Sequence, residues 1–297
     1  MKWEGNRESD NVEDRRDGDG GGFGGGGGFG IGGRSIGLGS IAIALAASYF
    51  FGVSPMTVLS LLSGGSGQNA QLQQTHSAQR PPANDQMAKF VSTVLADTED
   101  TWTELFRSSG ARYVRPKLVL FTGRTPTACG TGETAAGPFY CPADQKVYID
   151  LRFYQTMRQR FHVSSDFAQA YVIAHEVGHH VQHLSGIMDK VDQVRRNGTE
   201  KQANAISVKL ELQADCFAGV WAYHANQARS ILESGDIEGA LQAANAIGDD
   251  TLQRQAQGTV VPDSFTHGTS AQRVRWFKRG IETGRLNNCN TFNAQQL

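Results

Sequence analysis

Five consecutive residues, His175-Glu176-Val177-Gly178-His179, carry the clearest chemistry in this chain of 297 residues. Two histidines four residues apart lie on the same face of a helix, where both imidazoles can reach one Zn²⁺ ion. The Glu176 carboxylate stands beside them, so we expect it to act as a general base on a zinc-activated water. The spacing therefore predicts a zinc site on a helix, with two protein ligands and an open coordination position.

A zinc site of this kind needs a third protein ligand. Gln182 and Ser185 occupy the positions where a metzincin carries glycine and histidine, which excludes that class. Glu211 and Asp215 are again four residues apart, on a second predicted helix. We expect Glu211 to bind the metal and Asp215 to accept the remaining N–H of a ligand histidine. The alternative is that both acids are solvated.

The elements that would position these side chains can also be predicted. Segments with apolar residues at helical spacing are predicted as helices: residues 166–185, 203–227, 237–247 and 270–283. Residues 118–121 and 147–149 are predicted as short strands. The predicted fold is α+β, a mainly helical domain with a small β-sheet. Because the ligand set is already full, we expect His180 and His183 to be structural or to lie at the rim.

Five segments, taken in order, resemble the bacterial neutral zinc metallopeptidase family, whose members carry a short head, one membrane span and a zincin domain. The segments are GPFYCPADQKVYID (137–150), AYVIAHEVGHHVQHLSG (170–186), ELQADCFAGVWA (211–222), AIGDD (246–250) and SFTHGTSAQRVRWFKRG (264–280). The resemblance implies a minimal, gluzincin-type zincin. It makes His175, His179 and Glu211 the zinc ligands and Glu176 the catalytic residue.

The last of these segments is similar to the C-terminal His-Pro…Arg signature of related gluzincins, although Gly268 stands where proline is common. The resemblance leads us to expect His267 or Arg273 at the rim of the site, where either could stabilise an oxyanion. The alternative is a capping histidine and a structural arginine.

The resemblance also bears on substrate binding, because zincins of this type have an edge strand above the zinc. Residues 147–149 stand at that place in the sequence. An exposed edge strand can bind an extended peptide by β-augmentation. We therefore expect Tyr148 or Asp150 to touch the substrate, with a plainly packed strand as the alternative.

Four cysteines are present, which allow three disulfide pairings. Cys129 and Cys141 bracket a short loop, which suits a local disulfide. Cys216 and Cys289 would then join the second site helix to the C-terminal tail. Cysteine ligation of zinc is the alternative, but the chain contains no CxxC spacing.

Composition divides the chain into parts. Twelve of its 35 glycines lie between residues 18 and 33, in a stretch that cannot bury enough apolar surface to fold. Residues 36–62 contain no charged side chain and are long enough to span a bilayer. The predicted organisation is a disordered head (1–33), a transmembrane helix (34–63), a linker (64–84) and the zincin-like domain (85–297).

Basic residues give the predicted orientation of this span. Those that precede it are Lys2, Arg7, Arg15, Arg16 and Arg34, whereas the first basic residue after it is Arg80. The positive-inside rule then places the N-terminus in the cytoplasm and the domain outside, on a single-pass protein of the bacterial inner membrane. A net charge of −1 gives no electrostatic case for binding nucleic acid.

Together these features predict a zinc-dependent metallopeptidase with one zinc ion per chain. Its substrate would be a peptide or protein, and the lipid bilayer would hold it through residues 36–62. The alternative is a membrane-tethered zinc-binding scaffold with little or no turnover.

Overall fold

The computed structural model describes residues 1–16, 79–133 and 137–297. The described helices are α1 (Gln86–Ser108), α2 (Arg152–Arg160), α3 (Asp166–Leu184), α4 (Ile187–Asn197), α5 (Glu200–Arg229), α6 (Asp236–Ala246), α7 (Asp249–Gln257) and α8 (Ser270–Thr283). The strands are β1 (Val12–Asp14), β2 (Lys117–Phe121), β3 (Arg124–Thr127), β4 (Gly130–Glu133), β5 (Phe139–Cys141) and β6 (Lys146–Asp150). The fold is thus mainly helical with small sheets, which confirms the predicted α+β class.

The predicted membrane span, and the linker as far as residue 78, lie outside the described residues. Among the helices that are described, none combines the length and the apolar character that a bilayer crossing requires.

Helices α3 and α5 form the centre of the domain. The Ser165 hydroxyl caps α3 by accepting the backbone N–H of Ala168, and almost every side chain of this helix is buried. Helix α5 begins with a capping box between Thr199 and Gln202. The two helices approach closely at Gly178, where a Cβ atom would lie 3.1 Å from the carbonyl oxygen of Ala214. This contact brings the middle of α5 next to α3.

The main sheet has the strand order β1-β2-β6-β5. Strands β1, β2 and β6 are parallel, and β5 runs antiparallel to β6. Because β6 is hydrogen-bonded on both sides, the prediction that residues 147–149 form the edge strand is wrong. The edges of the described sheet are β1 and β5, and Tyr148 and Asp150 are both buried. The Tyr148 hydroxyl donates to Asp144, and Asp150 forms an ion pair with Arg152.

Strand β1 belongs to a segment that was expected to be disordered. Residues 1–16 lie in the same compact unit as the C-terminal domain, and Val12 is buried in its core. The predicted disorder of residues 1–33 is therefore wrong for residues 1–16, and the remainder of that stretch lies outside the described residues. The segment contains few apolar residues, so ion pairs and hydrogen bonds hold most of it.

Two disulfides brace the domain, Cys129–Cys141 and Cys216–Cys289. The first ties the β3–β4 hairpin to the end of edge strand β5. The second joins the middle of α5 to a short 3₁₀ turn near the C-terminus. Both pairs are those that the spacing of the cysteines favoured, and no cysteine is left over to bind a metal.

Candidate metal centre

Three side chains from α3 and α5 converge at one point. Ligand atoms of His175, His179 and Glu211 all lie within 4.8 Å of one another. The Nε2 atom of His175 is 3.2 Å from one carboxylate oxygen of Glu211, and that of His179 is 3.4 Å from the other. Two imidazole nitrogens and a carboxylate are a donor set that zinc prefers. The residues therefore fit a zinc ion, and they are the three that the sequence assigned to it.

Asp215 holds His175 from behind. The Nδ1 atom of His175 lies 2.9 Å from Oδ1 of Asp215, so its Nε2 atom faces the other two ligands. The same carboxylate accepts hydrogen bonds from Arg273 and from the Tyr171 hydroxyl. Burial lowers the pKa of His175, but Asp215 and Glu211 outweigh burial and raise it to about 10. Protons and metal ions therefore compete for this imidazole.

Arg273 lies behind the ligands rather than at the rim. Its side chain is only 3% exposed and makes a two-point ion pair with Asp215, with N–O distances of 3.0 and 2.9 Å. Arg273 also lines the cleft, so its expected role in stabilising an oxyanion stays a prediction. Its guanidinium compensates the negative charge of the Asp215 carboxylate. Without this partner, burying that charge would be costly.

His179 has a neutral partner that sequence reasoning overlooked. Its Nδ1 atom lies 2.8 Å from Oε1 of Gln182, one turn further along α3. The amide nitrogen of Gln182 donates in turn to the Leu210 carbonyl and to Gln213 on α5. This chain of hydrogen bonds fixes both the ring of His179 and the distance between the two helices. The i, i+3 spacing of His179 and Gln182 was a signal that could have identified it.

Glu176 is placed differently from the other acids of the site. It is buried against the cleft, yet no hydrogen bond or ion pair reaches its carboxylate from the part of the chain that the structure describes. Burial raises the pKa of Glu176, and the neighbouring His175 and His179 act in the opposite direction. An unpaired, buried carboxylate beside a metal-ligand cluster is suited to accepting a proton.

His267 stands at the mouth of the site, where the sequence predicted it. Its side chain is 51% exposed, and its Nδ1 atom lies 3.1 Å from Oδ1 of Asp249. The second oxygen of Asp249 accepts the backbone N–H groups of Thr266, His267 and Gly268. The hydrogen bond that its ring donates to Asp249 outweighs burial and raises the pKa of His267. Asp249 is thus a positioning residue that sequence reasoning missed.

Gly268 explains why the His-Pro signature is absent here. Its φ angle is +89°, in the left-handed region. Proline is locked near −65° and cannot adopt this conformation. The glycine lets the chain turn so that three consecutive N–H groups point at Asp249.

A cleft of about 740 Å³ opens onto the three ligands. Residues of β5, α2, α3 and α4 line one part of it, among them Phe139, Tyr140, Phe153 and Phe161. Glu176 and His267 also face this space, whereas Tyr148 and Asp150 are not among its lining residues.

His180 and His183 do not join the ligand cluster. His180 is buried, accepts the Tyr140 hydroxyl at Nδ1 and donates from Nε2 to the Val114 carbonyl. Burial lowers its pKa to about 4, so the ring stays neutral. His180 therefore joins α3 to the edge strand and to the loop before β2, which is a structural role.

Comparison with known proteins relates this site to a family. A sequence model described as "Putative neutral zinc metallopeptidase" matches residues 1–292. A protein of Escherichia coli (strain K12), "Uncharacterized protein YpfJ", is 53% identical over 292 residues, covering 98% of this chain and 99% of its own length. "Uncharacterized protein Rv2575" of Mycobacterium tuberculosis (strain ATCC 25618 / H37Rv) is 40% identical over 219 residues, covering 70% of this chain and 73% of its own length. No solved structure matches the chain. Since the match to the family extends over nearly the whole sequence, the protein belongs to the neutral zinc metallopeptidase family.

Proposed function

We propose that the protein is a zinc-dependent peptidase that hydrolyses peptide bonds in peptides or proteins. The observation that carries this proposal is the position of Glu176, whose carboxylate has no partner among the described residues and lines the same cleft as the three ligands. A site that only stored zinc would have no use for a buried carboxylate that neither binds the ion nor pairs with another group.

His175, His179 and Glu211 would hold one zinc ion per chain. When bound there, zinc supplies a Lewis acid that polarises a carbonyl and makes a water molecule acidic near neutral pH. The chain's own contribution is to keep the three donor atoms together, through Asp215 behind one histidine and Gln182 behind the other.

Glu176 acts as the general base. Its carboxylate takes a proton from the attacking water and later delivers it to the nitrogen of the leaving amine. Burial raises the pKa of this carboxyl, which makes it a better base than an exposed glutamate. No covalent intermediate with the protein is formed.

His267 donates a hydrogen bond to the oxyanion that develops on the scissile carbonyl. Its Nδ1 atom is engaged by Asp249, so Nε2 is the donor that remains for the substrate. The raised pKa of His267 favours the cationic ring, which is the stronger donor. The substrate itself pairs with edge strand β5 rather than with β6, because β6 is hydrogen-bonded on both sides whereas β5 is an edge of the described sheet and lines the cleft.

The domain works outside the cytoplasm. Two disulfides with no leftover thiol among the described residues support this, because oxidised cysteines persist in compartments such as the periplasm.

A peptide-cleavage assay with zinc analysis tests the function. The purified full-length chain, loaded with zinc, is incubated with a library of internally quenched peptides. We expect cleavage that a chelator abolishes and added zinc restores. Glu176→Gln should keep its zinc but lose at least about 100-fold in rate. Glu200→Gln, an exposed acid at the start of α5, is the matched control and should behave like the parent.

Two results would contradict the proposal. Cleavage by Glu176→Gln at the parent rate would show that another group is the base. A parent chain that binds one zinc ion but cleaves nothing in the library would favour the zinc-binding scaffold instead.

A further inference from the structure

Residues 1–16 complete the fold of the domain that carries the metal centre. Strand β1 pairs with β2 in parallel register, with Val12 opposite Leu118 and Asp14 opposite Leu120. The backbone continues this pairing beyond the strand, because the N–H of Arg15 donates to the Leu120 carbonyl. Strand β1 is thus the fourth strand of the sheet, on the side of β2 that β6 leaves open.

A buried carboxylate on α1 depends on this segment. Glu99 is fully buried and accepts hydrogen bonds from the Ser9 hydroxyl at 2.6 Å and from the Asn11 amide at 2.7 Å. Arg7 also forms an ion pair with Glu99 at an N–O distance of 3.0 Å. The cation that the rest of the domain offers to Glu99 is Arg115, whose nitrogen lies 3.9 Å from the carboxylate. Without residues 7–11, Glu99 would be left with one distant partner in the core, which is a large cost.

Further contacts extend along the segment. Glu13 forms ion pairs with Lys117 and Lys146, which lie on β2 and β6. The Trp3 ring packs edge-on against Phe90 of α1, with ring centroids 5.4 Å apart. The segment therefore contacts the domain over its whole length, through apolar, polar and charged groups.

We propose that residues 1–16 are a permanent structural part of the metallopeptidase domain and occupy the same compartment as residues 79–297. The stretch 36–62 lies between these two parts in the sequence. One crossing of a bilayer would place the two parts on opposite sides. The proposal therefore excludes any odd number of crossings, and it replaces the predicted arrangement of a cytoplasmic head and an external domain.

Cysteine labelling in intact cells tests the compartment. Glu4→Cys and Lys278→Cys each introduce one thiol at an exposed position, the first on the N-terminal segment and the second on α8. The native cysteines are disulfide-bonded and do not react. Each full-length variant is treated with a membrane-impermeant maleimide, before and after the membranes are opened.

We expect the two positions to give the same result, either both labelled in intact cells or both labelled only after opening. Labelling of one position but not the other in intact cells would overturn the proposal. The parent chain, which has no free thiol among its described residues, serves as the blank.

Thermal unfolding of the full-length protein tests the structural role independently. Val12→Arg places a charge in the core and should lower Tm by at least about 5 °C. Val12→Ala is a milder change that keeps the test possible if the first variant does not fold, and it should lower Tm by about 2–4 °C. Glu4→Ala, on the same segment but exposed, should leave Tm unchanged. Parent-like melting of both Val12 variants would contradict the proposal.

Discussion

The Asp215 carboxylate is held on both oxygens by the guanidinium of Arg273, and its Oδ1 atom also contacts Nδ1 of the metal-ligand candidate His175. The arginine thus reaches the metal centre through two other residues, Asp215 and His175. Such outer partners fix the tautomer and the orientation of a ligand histidine.

Replacing this arginine should weaken zinc binding. In Arg273→Gln the buried Asp215 loses its compensating charge, so we expect zinc affinity to fall about 10–100-fold and stability to fall by about 3 kcal/mol. A competition titration with a chromophoric chelator measures the affinity, and Lys278→Gln on the exposed side of α8 is the control. If Arg273 instead stabilised an oxyanion, its replacement would lower kcat and leave zinc affinity unchanged.

Asp249 should control how His267 titrates. In Asp249→Asn the pKa of His267 falls, because the hydrogen bond that raises it is lost. The ring of His267 then loses its proton, and with it the cationic donor, at a lower pH. The alkaline limb of the pH profile of kcat should therefore shift to lower pH. We also expect kcat at pH 7 to fall about 10-fold or more, with zinc content unchanged. Asp263→Asn, an exposed acid nearby in sequence, is the control, and an unshifted alkaline limb would contradict the assignment.

The turn at Gly268 should be intolerant of any side chain. Gly268 and Gly258 both have positive φ angles, so alanine at either position costs about 1 kcal/mol or more. A Cβ atom at Gly268 would also lie 3.2 Å from Val208 and Gln272, whereas at Gly258 nothing lies within 4 Å. Chemical denaturation should therefore show a larger loss for Gly268→Ala, and only this variant should lose activity by moving His267. Equal losses of stability in the two variants would show that these contacts relax without cost.

Stability at acid pH should depend on Glu13. Burial opposes its ionisation, but Lys146, Lys117 and Arg15 outweigh burial and lower the pKa of Glu13 from 4.5 to about 2. A carboxyl whose pKa is lower in the folded protein stabilises the fold fully above its unfolded pKa. That contribution, about 1–3 kcal/mol, is lost as the pH falls from about 5 to 2.

Glu13→Gln should therefore be less stable than the parent at pH 7, and the difference should shrink toward pH 2. Urea unfolding at several pH values measures it, with Glu8→Gln as an exposed control on the same segment. If the free energies of unfolding of the parent and of Glu13→Gln differed by the same amount from pH 7 to pH 2, Glu13 would not be the group involved.

The metal centre could be predicted because most of its information is local. The i, i+4 spacing of His175 and His179 fixes their common face on α3, and the same spacing links Glu211 with Asp215 on α5. The helix bounds were also close, since apolar periodicity is strong where a helix is buried on many sides. The position of Arg273 could not be predicted in this way, because it depends on how α8 packs against α5.

The sheet was harder to predict for a different reason. Local sequence shows that residues 147–149 are a strand, but it does not show which strands flank them, so β6 was mistaken for the edge. Strand β1 has only three residues, and polar side chains such as Glu13 and Asn11 anchor it. A segment held mainly by ion pairs and hydrogen bonds has no apolar periodicity to detect.

The connection between Cys216 and Cys289 has a consequence for biosynthesis. Cys216 directly follows Asp215, so the bond anchors the site helix next to the residue that orients His175. A nascent chain that has already exposed His179 and Glu211 to solvent still lacks Arg273 and Cys289. The disulfide and the Arg273–Asp215 ion pair therefore cannot form until translation has passed both residues, so the support behind His175 is the last part of the site to be completed.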